Sequence, residues 1–221
     1  MRIILVLFAL FLFTNGAMAE TIRKPVIVID PGHGGIDPGT QSADGTVLEK
    51  DLNLQIAKKL AKKLRKEGFH VELTRETDED ATKFAPTDRG WGRHKRDLFG
   101  RVEAANQKHA TMLISIHGNH GTTYNRGSVL YFNTRSFESY MLAAELQNRL
   151  NTVSNKYYLP RNGNSFFVIR RPDFPSVLVE YGYLSNPVEL AKLQTDAYQE
   201  KLVQAMRDGI AHFITLYHVP K

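Results

Sequence analysis

Two histidines and two glutamates of this sequence stand at or close to points where apolar runs give way to polar residues. They are His33 in Asp30-Pro31-Gly32-His33-Gly34-Gly35, Glu49 ahead of a periodic segment, His117 in Ser115-Ile116-His117-Gly118-Asn119, and Glu180 in Val179-Glu180-Tyr181-Gly182. Two imidazoles and a carboxylate form a common catalytic zinc set that leaves a fourth position open to water. His33, Glu49 and His117 are therefore the candidate ligands. Glu180 remains as the unligated general base, taking a proton from the attacking water and passing it to a leaving amine. Each residue alone has a plainer reading. His33 can be a turn residue among glycines that supply positive φ, His117 a hydrogen-bonded buried imidazole, and Glu49 an acid favouring a helix N-terminus. Glu180 can be a carboxylate paired with Arg75 or Arg170. A metal site accounts for all four at once.

Convergence of residues so far apart in sequence needs a scaffold. Val26, Ile27, Val28 and Ile29 form an apolar run cut off by Asp30-Pro31-Gly32, which reads as a buried strand entering a loop. Leu52, Ile56, Leu60 and Leu64 recur every four residues, with lysines on the other face, and Gly68 ends this amphipathic helix. Further strands are expected at 69–74, 112–116, 128–132, 166–169 and 177–179, and helices at 97–107, 137–150 and 198–217. Strands separated by helices predict an α/β fold in three layers, a mostly parallel sheet with helices on both faces. In such sheets ligand sites form beyond the carboxyl ends of the strands, where His33, His117 and Glu180 all fall. Two aperiodic stretches, 78–96 and 118–127, read as loops that line or cover the site.

Several neighbours attract notice. Arg75 and Arg101 can brace loops through salt bridges or grip substrate carboxylates. Asn119 can orient His117. Trp91, Tyr157 and Tyr158 can stack on sugar rings. His120 is an extra imidazole near the presumed metal, open to readings as an alternative ligand, a substrate contact or a solvated loop residue. His70, His94, His109, His212 and His218 receive no role.

Composition narrows the classes. The chain has 221 residues and no cysteine, so disulfides and thiolate ligands are excluded. Met1-Arg2 precedes an apolar run over residues 3–13 and then Ala17-Met18-Ala19, the layout of a secretory signal peptide over residues 1–19, or of an uncleaved anchor. The run is shorter than the about 20 apolar residues a bilayer span requires, so no stable membrane span is expected after cleavage. Residues 20–221 then form one exported catalytic domain. The net charge of +6 suits an anionic polymer. The glycine-rich loop after the first strand lacks the Gly-Lys-Ser/Thr ending of a phosphate cradle, so a nucleotide is not the expected ligand; no nucleic-acid partner is expected either.

Taken together, His33 in Asp-Pro-Gly-His-Gly-Gly, Glu49-Lys50-Asp51, Thr74-Arg75, Ser115-Ile116-His117-x-Asn119 and Val179-Glu180-x-Gly182-Tyr183-Leu184-Ser185-Asn186-Pro187 resemble the N-acetylmuramoyl-L-alanine amidases of the zinc-dependent amidase-3 type. The resemblance runs from about residue 26 to 213. It implies a six-stranded sheet between helices, as in phosphorylase/hydrolase-like folds, with Zn2+ on His33, Glu49 and His117 and catalysis by Glu180. The implied reaction is hydrolysis of the amide between N-acetylmuramic acid and the first L-Ala of the peptidoglycan stem peptide. Peptidoglycan is thus the expected partner, with room for a protein activator. Within the family the chain looks most like the short spore-cortex branch, where cleavage is a step toward cortex muramic lactam. It departs from the usual pattern at Gly118 and His120, and residues 78–96 show no counterpart of the auto-inhibitory helix of some members. A zinc peptidoglycan peptidase or carboxypeptidase and a non-catalytic wall-binding module are the alternatives, the second disfavoured by the presence of Glu180.

Overall fold

The computed structural model describes residues 24–87 and 89–217. The expected signal peptide at 1–19 and His218 lie outside the described residues. Among these, no helix is long and apolar enough to cross a membrane.

Six strands form one sheet: β1 (Val26–Pro31), β2 (His70–Leu73), β3 (Met112–Asn119), β4 (Val129–Phe132), β5 (Arg161–Asn162) and β6 (Ser176–Tyr183). Their order is β2-β1-β3-β6-β4-β5. All neighbouring pairs run parallel except β4 with β6, which is antiparallel. Alternation of side chains along each strand sends Ile27, Ile29, Ile114, Ile116, Val177 and Val179 into one core. There they meet the apolar stripes of α1 (Glu49–Lys66), α3 (Phe137–Ser154) and α6 (Asp196–Tyr217). Val28 and Leu113 point the other way, onto Ala105 of α2 (Arg93–Gln107) and Val168 of α4 (Phe167–Arg170). Two helical layers thus cover both faces of a mostly parallel sheet, as the alternation of apolar runs anticipates.

One expected strand is a helix. In the run Phe166-Phe167-Val168-Ile169 the last three residues lie in the single turn α4, with Phe166 extended just before it, and the edge strand is instead the two-residue β5. A short apolar run does not distinguish strand from buried helical turn. Here Gly163 closes a turn, with Phe166 N donating to Gly163 O at 2.9 Å and Gly163 N to Phe132 O at 2.9 Å. The helical turn that follows buries both Val168 and Ile169, and Phe167 reaches Phe99 of α2 at 6.5 Å between ring centroids. An additional helix, α5 (Pro187–Leu193), was not anticipated. Its start is nonetheless written in the sequence: Asn186 caps it by accepting from Val188 N and Glu189 N, and Pro187 occupies the first turn. The second helix begins at Arg93 rather than 97, and residues 82–84 form a 3-10 turn, so the expected long loop is partly ordered by regular structure.

Candidate active site

The carboxyl ends of β1, β3 and β6 deliver three of the four candidate residues, and α1 delivers the fourth at its first position. His33 follows β1 at φ 60, a left-handed conformation that costs a non-glycine residue about 1–3 kcal/mol. Two buried arginines hold the loop in that shape. Arg101 donates through Nη2 to His33 O at 2.6 Å and through Nη1 to Pro31 O at 2.9 Å. Arg75 donates to the carbonyls of Pro31, Gly32, Lys50 and Thr77 at 2.9, 3.1, 2.8 and 3.0 Å. The two side chains are thereby committed to the scaffold, and the reading of either as a grip for substrate carboxylates is set aside.

Guanidinium groups so deeply placed need compensation. Arg75 and Arg101 are 3% and 2% exposed. Asp30, fully buried, accepts from Arg101 Nη1 at 2.9 Å, Thr74 Oγ1 at 2.5 Å and Ser115 Oγ at 2.7 Å. Asp97 accepts from Arg101 Nε at 2.9 Å and from Ala81 N at 2.7 Å, which ties the 78–96 loop to the same network. Burial works to raise the Asp30 carboxyl, yet the charge of Arg101 and the two hydroxyls prevail and hold it below its usual range.

Above this base, His33 Nε2 and His117 Nδ1 each lie 3.1 Å from one oxygen, Glu49 Oε1. One donor atom from each of the three residues falls within 4.8 Å of the others. The rings meet edge to face with centroids 5.0 Å apart, so their nitrogens converge instead of stacking. Glu49 is 3% exposed and firmly held: Oε1 also accepts from Gly118 N and Asn53 Nδ2 at 3.1 and 3.2 Å, and Oε2 from Thr40 N at 2.8 Å. His33 Nδ1 bonds Asp37 Oδ2 at 2.9 Å, leaving Nε2 to the cluster. A carboxylate behind a ligating imidazole is the usual device for fixing its tautomer and raising its basicity.

The electrostatics suit a cation. Burial opposes an imidazolium at His33, but the hydrogen bonds and charges of Glu49 and Asp37 hold its pKa up at about 9. Burial likewise works to raise Glu49, and His117 and His33 bring it well below the usual carboxylate range. Three groups drawn together around one buried negative charge are held there by a shared proton, and a divalent ion would displace that proton and take the three groups as its ligands. The residues therefore fit the implied metal.

Glu180 pairs with His117 across the β3–β6 ladder and so shares its face of the sheet. Neither suggested ion pair forms. Arg75 is engaged as described, and the Arg170 guanidinium lies over the Phe167 ring, 6.0 Å from its centroid. Glu180 Oε2 is shut off from solvent without a hydrogen-bond partner among the described residues. Burial pushes its carboxyl up to about 7, against the pull of His117. A carboxyl poised near neutrality takes and returns a proton readily.

All four sequence candidates are brought together. His120 is not part of the three-residue cluster: its Nδ1 lies 3.0 Å from Thr40 Oγ1 on the exposed rim. Asn119 contributes its backbone carbonyl to Leu184 N, while His117 is oriented by Glu49. Sequence reasoning passed over Asp37, Asn53 and Asp30 as supports. The signals were spacing: Asp37 follows His33 by four residues in a turn closed by Gly39 N, and Asn53 follows Glu49 by four on one helix face.

Close packing makes a sharp prediction. A methyl group on Gly32 would fall inside the van der Waals envelope of the His117 ring. Gly32→Ala is expected to turn that imidazole aside and weaken binding of a divalent metal by at least about tenfold, the scale of lost positioning contacts. Competition with a fluorescent chelator measures it, and an unchanged affinity would show that His117 is not a ligand.

Comparison with known proteins places this geometry. Residues 27–212 match the family model described as N-acetylmuramoyl-L-alanine amidase. The chain is 32% identical over 194 residues to the germination-specific N-acetylmuramoyl-L-alanine amidase of Bacillus subtilis, covering 86% of this chain and 80% of that one. It is also 32% identical over 203 residues to the probable cell wall amidase LytH of Staphylococcus epidermidis, covering 89% of this chain and 61% of that one. Among solved structures it resembles the CwlD amidase of Clostridioides difficile, determined in complex with the GerS lipoprotein. That likeness has a TM-score of 0.77 at 31% identity and covers 88% of this chain and 100% of that one. A catalytic domain of the same kind, CwlV of Bacillus (Paenibacillus) polymyxa, gives a TM-score of 0.74 at 30% identity, over 87% of this chain and 99% of that one. The fold, the order of the motifs and these likenesses agree over nearly the whole described chain, which belongs to the N-acetylmuramoyl-L-alanine amidase family of peptidoglycan-cleaving enzymes.

Proposed function

We propose that the enzyme hydrolyses the amide between the lactyl group of N-acetylmuramic acid and the first L-Ala of the stem peptide, with zinc on His33, Glu49 and His117 and with Glu180 as the general base. The observation that carries this reading is the buried Oε2 of Glu180, without a hydrogen-bond partner among the described residues, on the same sheet face as His117. A structural metal site has no use for such a carboxylate, whereas a hydrolase needs it twice. Glu180 first accepts a proton from water attacking the carbonyl and then delivers it to the departing amine. When bound, zinc supplies Lewis acidity toward the scissile carbonyl oxygen. Two imidazoles with one carboxylate favour it over harder ions. Asp37 and Asn53 keep the donors in place, and the Arg75 and Arg101 network keeps the His33 loop from relaxing.

Residues 1–19 act as the export signal in this reading, consistent with relatives named for the cell wall. The germination-specific relative supports a role in the spore cortex, and the relative solved in complex with a lipoprotein supports a protein partner. The test is incubation of residues 20–221 with intact peptidoglycan, with products read by mass. Release of stem peptides bearing a free N-terminal L-Ala is expected, stopped by a chelator and restored by zinc. Shortened stem peptides would instead establish a peptidase, and zinc-independent binding without release a wall-binding module.

A further inference from the structure

The strands that carry the chemistry cross the sheet in a fixed sequence: β1 with His33, β3 with His117, β6 with Glu180, then β4 and the edge strand β5. On the proposed reading, Glu180 hands a proton to the leaving amine. The amine, and the peptide attached to it, must then lie on the Glu180 side of the metal ligands. That side continues over β4 to β5.

What stands there is suited to an anion. Val129 pairs with Glu180 and Tyr131 with Leu178, so alternation puts Tyr131 on the same face as Glu180. Arg161 sits beside Tyr131 in the parallel β4–β5 ladder and shares that face. Strand spacing and rise place its Cα about 12 Å from that of Glu180, and the long side chain can span part of this gap. Burial raises the Tyr183 phenol, and both Arg161 and Glu180 are among the charged groups close enough to act on it. The Arg161 guanidinium rests over the Tyr158 ring, 5.5 Å from its centroid, and Tyr158 is itself anchored by its hydroxyl donating to Arg126 O at 3.0 Å. Arg161 is exposed, and the arginine ion pairs among the described residues belong to Arg93, Arg101, Arg149 and Arg207 instead. An extended peptide advances about 3.3–3.6 Å per residue. A carboxylate one or two residues past the scissile amide's L-Ala therefore comes within reach of this guanidinium.

We propose that Arg161 is a specificity-determining residue that binds a carboxylate of the stem peptide one or two residues beyond L-Ala. The inference rests on the amidase reading and on Glu180 as the proton donor to the amine. An arginine on an edge strand can also serve only to discourage pairing with another sheet, and the test separates the two roles.

The experiment uses the zinc-loaded full chain and two muramoyl tripeptides that differ only in the carboxylates beyond L-Ala, free in one and amidated in the other. The wild type is expected to favour the free acid about tenfold in kcat/KM, the scale of one charge-assisted hydrogen bond at a partly exposed site. Arg161→Gln should raise KM for the acid about tenfold with kcat unchanged and leave the amidated substrate unaffected, while Arg161→Lys recovers part of the loss. Absence of discrimination by the wild type, or an equal loss by Arg161→Gln on both substrates, overturns the assignment of Arg161 alone. An inactive wild type on both substrates, and on peptidoglycan, overturns the amidase reading and this inference with it.

Discussion

Replacing Glu180 with Gln is expected to lower kcat by about 10²–10⁴-fold, the range contributed by a positioned acid–base group, while zinc still binds. The same substitution is expected to stabilise the metal-free protein at alkaline pH. The Glu180 carboxyl has an ordinary value of 4.5 and is pushed to about 7 by burial. The folded protein therefore keeps a proton that the unfolded chain gives up, and stability falls as pH rises from 4.5 through 7. Glutamine never ionises, so at pH 8 in chelator the variant should exceed the wild type by roughly 3 kcal/mol, and the advantage should vanish below pH 4.5. Urea unfolding at the two pH extremes, beside activity assays, measures both effects. Activity within threefold of wild type would remove Glu180 as the base, and lower stability at pH 8 would show that its carboxylate has a partner in the fold. A bound cation favours the ionised carboxylate, so the acid limb of the wild-type pH–rate profile is expected at or below 7.

Arg101→Ala is expected to destabilise the chain by about 3–5 kcal/mol, the cost of leaving a buried charge without its partner. Two carboxylates lose compensation together, Asp30 at 0% and Asp97 at 2% exposure, the His33 carbonyl loses its donor, and the Pro31 carbonyl keeps only the one from Arg75. For a domain of this size that loss lowers Tm by about 10 °C. Because the His33 loop is held in its left-handed turn by this side chain, zinc affinity should fall as well. Pairing Arg101→Met with Asp30→Asn should cost less than the sum of the two single changes, since the first leaves no charge for the second to orphan. Calorimetry with and without zinc gives all the terms. A change in Tm below about 2 °C would mean that the network does not hold the loop.

Much of the site was legible because its residues are local in kind. His33, His117 and Glu180 follow or end apolar strands, and in a parallel sheet all such ends gather on one side. Glu49 was found by residue type and by the family pattern, and its place at the first residue of α1 explains why its carboxylate sits where a negative charge is favoured. The long helices were clear from apolar repeats, and the error at 166–169 arose because four apolar residues satisfy either periodicity.

The sequence by itself determined the alternation of strands and helices, the absence of thiol chemistry and the identity of the four candidate residues, because these depend on residue type and short-range spacing. Only the tertiary structure decided which groups support them. That Arg75 and Arg101 clasp backbone carbonyls, that Asp37 backs His33, that His120 stays on the rim and that Arg161 shares a sheet face with Glu180 depend on strand order and register. Register is fixed by burial summed over many residues far apart in the chain, and no single motif carries that sum.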